Sequence, residues 1–499
     1  MIENIKKVRG IVKQVSKWFV FVLVAIAQFM VVLDSAITNV ALPTIKQQLS
    51  FSNSTLQWVV TAYALTFGGF LLLGGRAADL FGRRRTLVAG MMAFTLFSFL
   101  IGVSHSSVLL IALRALQGLA AALMSPSALS IVLTTFRDGP DRNRALSYWT
   151  LVATAGAAIG LLLGGFLTQY VGWRWDFFIN VPVGIVMTFL ILRFVPAHAR
   201  AEEYTSLDLP GATFVTGSLM ATVYGFSQAS SWGWTSSGTL GIFGVAIALM
   251  IAFVINESRA KHPLVPLSIF RIRNVTGANL MMAPIYAAML GLFFIITLYV
   301  QTVLHFSPVK AGLAFLPMPA VLAFMATRMP RLVARFGYKP FLIAGPIIAA
   351  VGLAWLSRIP VDGSYLVNIL PGLIILPVGI GMTFMPIIAA ATSGVPGHQA
   401  GLASGLISTS QQMGGALGLS ILSGVAASVT AGAVNLGRTG ALVYGFDRAM
   451  DVSLAFMVFA AVLAMVVIQR SPKRPTGIET QPERDVPVVT PRKKVVQLG

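Results

Sequence analysis

The sequence predicts an all-α polytopic membrane protein of about fourteen spans, and three observations carry that prediction. Of its 499 residues, 56% are hydrophobic and 10% charged, where an ordinary soluble domain carries about a quarter charged residues. The apolar residues fall in runs long enough to cross a hydrocarbon core roughly 30 Å thick, which takes about 20 residues of helix. These runs are too long and too evenly apolar for barrel strands, so each is read as α-helix. The net charge of +20 would suggest nucleic acid in a soluble protein. Here it follows from the enrichment of cytoplasmic loops in Lys and Arg, and no nucleic-acid partner is expected.

The spans are expected at 18–41, 55–75, 86–104, 107–133, 146–167, 177–195, 210–228, 238–257, 275–303, 311–333, 340–357, 366–390, 401–427 and 448–469. With the N-terminus inside, the inner segments hold 29 Lys and Arg. The outer ones hold only Lys46, Arg174, Lys310, Arg358, Arg438 and Arg448, and Arg114 lies within a span. Both termini are therefore expected to be cytoplasmic. Residues 1–17 form a basic tail with Lys6, Lys7, Arg9, Lys13 and Lys17 and no small-residue cleavage site, so the first span is expected to be retained. Residues 471–499, rich in Pro and charge, are expected to be a disordered cytoplasmic tail.

An internal echo organises the spans between. The loop Gly75-Arg76-Ala77-Ala78-Asp79-Leu80-Phe81-Gly82-Arg83-Arg84 after the second span matches 330–339 after the tenth at Arg, Phe and Gly. Eight spans of separation suit two six-helix bundles, 18–195 and 258–470, with a linker and two inserted helices at 196–257. Parallel half-repeats of this kind are a known transporter design.

Chemistry is limited by what is missing. The chain has no Cys, which excludes disulfides, thiolate metal sites and cysteine nucleophiles. His105, His198, His262, His305 and His398 fall in loops or span ends without metal-ligand spacing, so no metal is expected. There is no Gly-Lys pair and hence no phosphate loop, so ATP is not the expected energy source. No Lys within a span could form a retinal Schiff base.

Asp34 is the one acid read as lying well inside a span, and Arg114 the one base. A charge at the bilayer centre costs about 2.5–3.5 kcal/mol on insertion scales, so Asp34 is expected to face a wet cavity and to bind a proton or substrate; the alternative is a hydrogen bond to a neighbouring helix. Arg114 either tunes Asp34 or clamps two helices. Asp79, Gly82, Arg83 and Gly75 form a short loop that either latches the halves or, through its arginines, merely orients the chain. Gly156, Gly160 and Gly164, with Gly165 beside them, line one face where another helix approaches closely. Asn39, Trp58, Tyr63, Gln117 and Gln411 are candidates for lining a cavity, although aromatic residues near span ends also anchor at the interface.

These residues carry a resemblance. Leu33-Asp34-Ser35-Ala36-Ile37-Thr38-Asn39-Val40-Ala41-Leu42-Pro43 is similar to the first-helix motif of the fourteen-helix drug:proton antiporter branch of the major facilitator superfamily, the EmrB/QacA type. The loop from Gly75 to Arg85 resembles the superfamily-wide motif, Leu113-Arg114-Ala115-Leu116-Gln117-Gly118 the fourth-helix arginine motif, and Trp173 to Gly184 the start of the sixth helix. Gly401 to Gly405 and Gln411 to Gly418 support it from the far half. Two departures stand out: Leu161 replaces the usual proline of the antiporter motif Gly156 to Gly165, and Asp176 stands where the family often has an apolar residue.

The resemblance implies the major facilitator fold and a multi-pass protein of a bacterial-type inner or plasma membrane. It also implies alternating-access export of amphipathic or lipophilic small molecules in exchange for protons. Asp34 and Arg114 would couple the proton, and Asp79, Gly82, Arg83 and Gly75 would gate. No cofactor is expected beyond the proton gradient, the functional unit is expected to be a monomer, and the substrate is expected to be neutral or monocationic. A polytopic enzyme, or a sensor or scaffold retaining a transporter-like fold, is the alternative.

Overall fold

A computed structural model describes residues 16–136, 139–196, 208–261, 263–395 and 400–469. The expected tails, up to residue 15 and from 471, and His198, His262 and His398 lie outside the described residues.

The described chain is helical throughout, with no strand. Its long helices are α1 (Lys17–Gln48), α2 (Trp58–Phe81), α3 (Arg83–Gly102), α4 (Ser107–Thr135), α5 (Pro140–Tyr170), α6 (Trp175–Phe194), α7 (Leu209–Trp232), α8 (Ser237–Arg259), α9 (Arg273–Val303), α10 (Pro308–Phe336), α11 (Lys339–Leu356), α12 (Tyr365–Thr392), α13 (Ala400–Gly432) and α14 (Gly437–Val466). Thirteen are long and apolar enough to cross a membrane, and the more polar α7 matches them with 24 residues. With α7 the described long helices number fourteen, and the side of the N-terminus of α1 is called inner after the expected topology.

The two largest boundary differences from expectation are at α14 and α1. The last helix begins at Gly437 rather than near 448, because Arg438, Asp447, Arg448 and Asp451 mask its apolar character while the backbone continues as helix. Arg448 and Asp451 pair at 2.8 Å on an exposed face, one turn apart. The first helix runs past Pro43 to Gln48. With Leu161 in place of proline, α5 is one uninterrupted 31-residue helix, since past Pro140 in its first turn no residue lacks the backbone donor whose loss would kink it.

Packing is closest among α1 to α6 and among α9 to α14, with α7 and α8 paired to each other. Two seams join the sets, and they differ. α2 and α13 touch along their whole length: a methyl group on Gly68 would lie 2.7 Å from Gln412 Cβ, and one on Gly405 2.8 Å from Leu72. α7 lies over this seam, where Ser420 Oγ donates to the Val223 carbonyl at 3.0 Å and a methyl on Gly69 would collide with Thr216. α5 meets α10 chiefly through the outer segment Pro308–Phe315. There a methyl on Gly165 would lie 2.6 Å from the Pro308 carbonyl, and the Val309 N–H donates to Gln169 Oε1 at 3.2 Å. Gln301 adds a bond from its side-chain amide to the Val40 carbonyl at 2.9 Å, closing α9 onto α1 at the outer side. Small residues carry these contacts because lipid offers no hydrophobic drive between helices, leaving close packing and hydrogen bonds to do it.

Candidate functional site

Polar side chains from five helices converge in the core of the first bundle. Asp34 of α1 and Arg114 of α4 are 0% and 1% exposed. Arg114 Nη1 donates to Asp34 Oδ2 at 2.5 Å and to Gln117 Oε1 at 2.6 Å, and its Nε donates to the Val59 carbonyl of α2 at 3.0 Å. The other carboxylate oxygen, Asp34 Oδ1, accepts from Gln117 Nε2 at 2.9 Å and Asn180 Nδ2 of α6 at 3.2 Å. Gln117 also donates to Ser98 Oγ of α3 at 2.9 Å. The Arg114 guanidinium lies 4.3 Å from the Tyr63 ring centroid and 5.7 Å from that of Phe177. Arg114 and Gln117 are three residues apart, so one face of α4 carries both.

This corrects the expectation that Asp34 faces a wet cavity. Desolvating two charges is costly, and the structure offsets that cost with an ion pair in which both Asp34 oxygens and Arg114 Nε and Nη1 are hydrogen-bonded. The pair leaves no net charge in the bundle core. Adding a proton to Asp34 removes the attraction on Arg114, which keeps its bonds to Val59 and Gln117. The arrangement is a buried charge lock that ties α1 to α4.

The glycine face of α5 holds the lock from behind. Methyl groups on Gly160 and Gly164 would lie 2.7 Å from Ala36 Cβ and 2.8 Å from Ile37 Cα of α1, and one on Gly156 3.3 Å from the Phe29 ring. Gly165 instead faces α10. One run of small residues thus touches both the helix carrying Asp34 and the opposite half.

Several cavity candidates sit elsewhere. Gln117 and Tyr63 are 0% and 2% exposed and belong to the Asp34 lock, because the buried charges recruit every nearby polar or π-rich group. Trp58 packs on Tyr224 of α7 with centroids 6.2 Å apart, so the inserted helices take the place of a cavity. Asn39 is buried, its Nδ2 donating to the Ser35 carbonyl at 2.9 Å while its Oδ1 has no partner among the described residues. Gln411 is half-buried on α13 and hydrogen-bonds Tyr286 of α9.

At the loop after α2, Gly82 has φ 94°, a conformation that favours glycine. Asp79 and Arg83 pair at 3.5 Å across it, both partly exposed, and Gly75 sits against Pro126 of α4. Arg76 reaches past the loop, its Nη2 donating to the Pro263 carbonyl before α9 at 2.7 Å. Arg84 Nη1 donates to the Val195 carbonyl at the end of α6 at 3.0 Å. Lys17 bonds Asp141 at the inner start of α5, holding that carboxyl below the usual carboxylate range.

The inventory of one intramembrane acid is also corrected. Asp176 is 1% exposed, accepting from Thr168 Oγ1 at 2.7 Å. Glu257, 4% exposed, accepts the Val265 N–H at 3.1 Å at the inner end of α8, beside Asp208, which accepts from Asn256 at 2.8 and 3.0 Å and caps α7. Asp447 accepts from the Ile359 N–H at 3.3 Å at the outer end of α14. Glu257 closes the apolar run 238–257, and Asp176 and Asp447 stand one residue before the runs from 177 and 448, so none of them reads as lying well inside a span. Ser98 and Asn180 were missed as members of the lock; polar residues inside apolar spans were the available signal. The Val59 carbonyl left none, being backbone.

Comparison with known proteins agrees with this architecture. The Major Facilitator Superfamily pattern matches residues 24–419. The chain is 37% identical over 461 residues to the puromycin resistance protein pur8 of Streptomyces alboniger, covering 91% of each chain. It is 38% identical over 461 residues to the cephamycin export protein CmcT of Amycolatopsis lactamdurans, covering 92% of this chain and 94% of that one. The tetracenomycin C resistance and export protein of Streptomyces glaucescens is 35% identical over 416 residues, covering 82% of this chain and 76% of the relative. Among solved structures, an inward-facing, occupied bacterial homologue of the human lysosomal transporter Spinster superposes with TM-score 0.65 at 16% identity, covering 90% and 96% of the two chains. An inward-open xylose transporter XylE from E. coli gives 0.59 at 13% identity, covering 92% and 98%.

Proposed function

The chain belongs to the major facilitator superfamily, and from that premise we propose that it exports amphipathic or lipophilic small molecules in exchange for protons. The single observation that carries the reading is the buried Asp34–Arg114 pair, because a proton can switch it between a locked and a released state. The names of the relatives, which concern resistance to or export of puromycin, cephamycin and tetracenomycin C, support antibiotic-like cargo.

The cycle follows from the geometry. With Asp34 ionised, Arg114 ties α1 to α4, and the outer contacts of α5 with α10 and α1 with α9 keep the outer side closed. Protonating Asp34 frees α1 to shift against the glycine face of α5, whose adjoining Gly165 abuts α10. Cargo and proton then share one switch and exchange sides in alternation. The site is that of a bacterial-type inner or plasma-membrane protein working as a monomer with both termini cytoplasmic, and gating belongs to the Arg76, Asp79, Gly82 and Arg83 loop. Deleting the gene tests export itself: intact cells should accumulate more of a lipophilic dye, and unchanged accumulation across a dye panel counts against the reading.

A further inference from the structure

Asp176 is a buried acid the cycle above does not use. It lies in the first turn of α6, one turn outward of Asn180, the residue whose amide holds Asp34 Oδ1. Its Oδ2 accepts the Thr168 hydroxyl, while its Oδ1 is buried and has no protein partner among the described residues, and no cation pairs with it there. A carboxylate so enclosed carries the cost of an unpaired buried charge, which a bound proton removes. Ionisable groups around it are few. α1 presents Asp34, with Arg114 of α4 behind it. α5 presents only the Thr168 hydroxyl, and α3 presents no ionisable group at this level. Arg174, two residues earlier, turns away to the Ser104 carbonyl at 3.1 Å and Gln48 at 3.4 Å.

Its partner Thr168 stands next to the α5–α10 contact. Thr168 is 5% exposed and adjoins Gln169, which accepts from Val309 of α10, and Gly165, pressed against Pro308, lies three residues before it.

Resting on the proton-coupled reading above, we propose that Asp176 is the outer-side proton-loading residue for Asp34. It takes a proton when the α5–α10 contact opens and carries it in neutral form beneath the closed gate. Its O–H bond then breaks as an O–H bond forms on Asp34, which gives up its ion pair while Arg114 keeps its charge on the Val59 carbonyl and Gln117. Asp176 acts through Asp34 and is a positioning residue for the proton.

The test uses the full-length protein in liposomes, with efflux measured against external pH at fixed internal pH. For Asp176→Asn, the external proton concentration needed for half-maximal efflux should rise about tenfold, as expected when one proton-binding group is lost. Maximal efflux at the lowest external pH should persist, and Thr168→Val should shift the profile in the same sense. An external-pH profile equal to wild type in Asp176→Asn overturns the proposal. Infrared spectra provide a measurement independent of transport: a component of the protonated-carboxyl C=O band at neutral pH that is retained in Asp34→Asn and lost in Asp176→Asn supports it, and C=O intensity in Asp176→Asn equal to wild type overturns it. A wild-type protein with no pH-driven efflux contradicts the proton-coupled reading itself, and the infrared band still decides whether Asp176 holds a proton.

Discussion

Asp34 and Arg114 are each the other's reason for being tolerable inside the protein. Removing one partner leaves an uncompensated buried charge, worth about 3–5 kcal/mol. Asp34→Asn should therefore abolish proton-driven efflux and also lower the thermal stability of the purified protein by about that amount. Asp34→Asn combined with Arg114→Gln should recover most of the stability and none of the proton coupling. A thermal-shift series with efflux measured on the same preparations checks both; a stable, fully coupled Asp34→Asn single variant would remove the lock from the account. Asp34 was legible in the sequence because a lone carboxylate in an apolar run is costly. Its partners were legible only in part: Arg114 and Gln117 lie in a recognisable run, whereas Ser98, Asn180 and the Val59 carbonyl come together only through tertiary packing across α2, α3 and α6.

At the scale of helices, the glycine face of α5 makes a sharp prediction, because four-residue spacing showed a close approach but not what approaches. Gly164→Ala places a methyl 2.8 Å from Ile37 Cα, so α1 must move away from α5 and efflux should fall several-fold. Gly241→Ala on α8, where nothing lies within 4 Å, should leave efflux unchanged and add about 0.5–1 kcal/mol of helix stability. Dye-efflux rates at matched membrane abundance separate the two, and equal losses at both positions would mean that backbone flexibility, not the α1 contact, matters. The loop after α2 gives a second ranking. Arg76 bridges to Pro263 while Asp79 pairs with Arg83 across a partly exposed turn, and exposed pairs contribute about 0–1 kcal/mol. Arg76→Ala should therefore increase cysteine labelling of the inner ends of α4 and α5 more than Asp79→Asn does. The chain has no native Cys to remove, and the reverse ranking would return the latch to Asp79. Span positions were readable to within a few residues wherever apolar runs ended cleanly. They failed at α14, where a charged, exposed first turn hides eleven residues of helix.

Across the whole molecule, the two seams divide the work. α7 covers the α2–α13 seam, whereas α5 and α10 meet mainly at their outer ends, so the proposed cycle requires the second pair to part. Cross-linking cysteines placed at Gln169 and Val309, whose side-chain oxygen and backbone N–H now bond at 3.2 Å, should stop efflux, and reduction should restore it; undiminished efflux in the cross-linked protein would mean the seam never opens. The seams and the overlay by α7 were not legible, since polarity patterning reports which faces leave lipid but not which helix they meet. Substrate charge is also set at this scale. Asp34 is neutralised by Arg114, Asp176 lies under the outer gate, and Glu257 and Asp447 are held by backbone donors at opposite ends. No uncompensated carboxylate is thus offered to a doubly charged cation in mid-membrane among the described residues. Neutral and singly charged lipophilic dyes should be exported well and doubly charged ones poorly, and equal efflux across a matched series would contradict this.

The central claim is that protons drive export by opening the Asp34–Arg114 lock, and efflux from liposomes under an imposed pH gradient tests it most directly. The wild-type protein should pump dye against its gradient only while the pH difference lasts, with proton movement into the internal side coupled to dye leaving, and Asp34→Asn should do neither. Full gradient-dependent efflux by Asp34→Asn would show that the proton travels by another route.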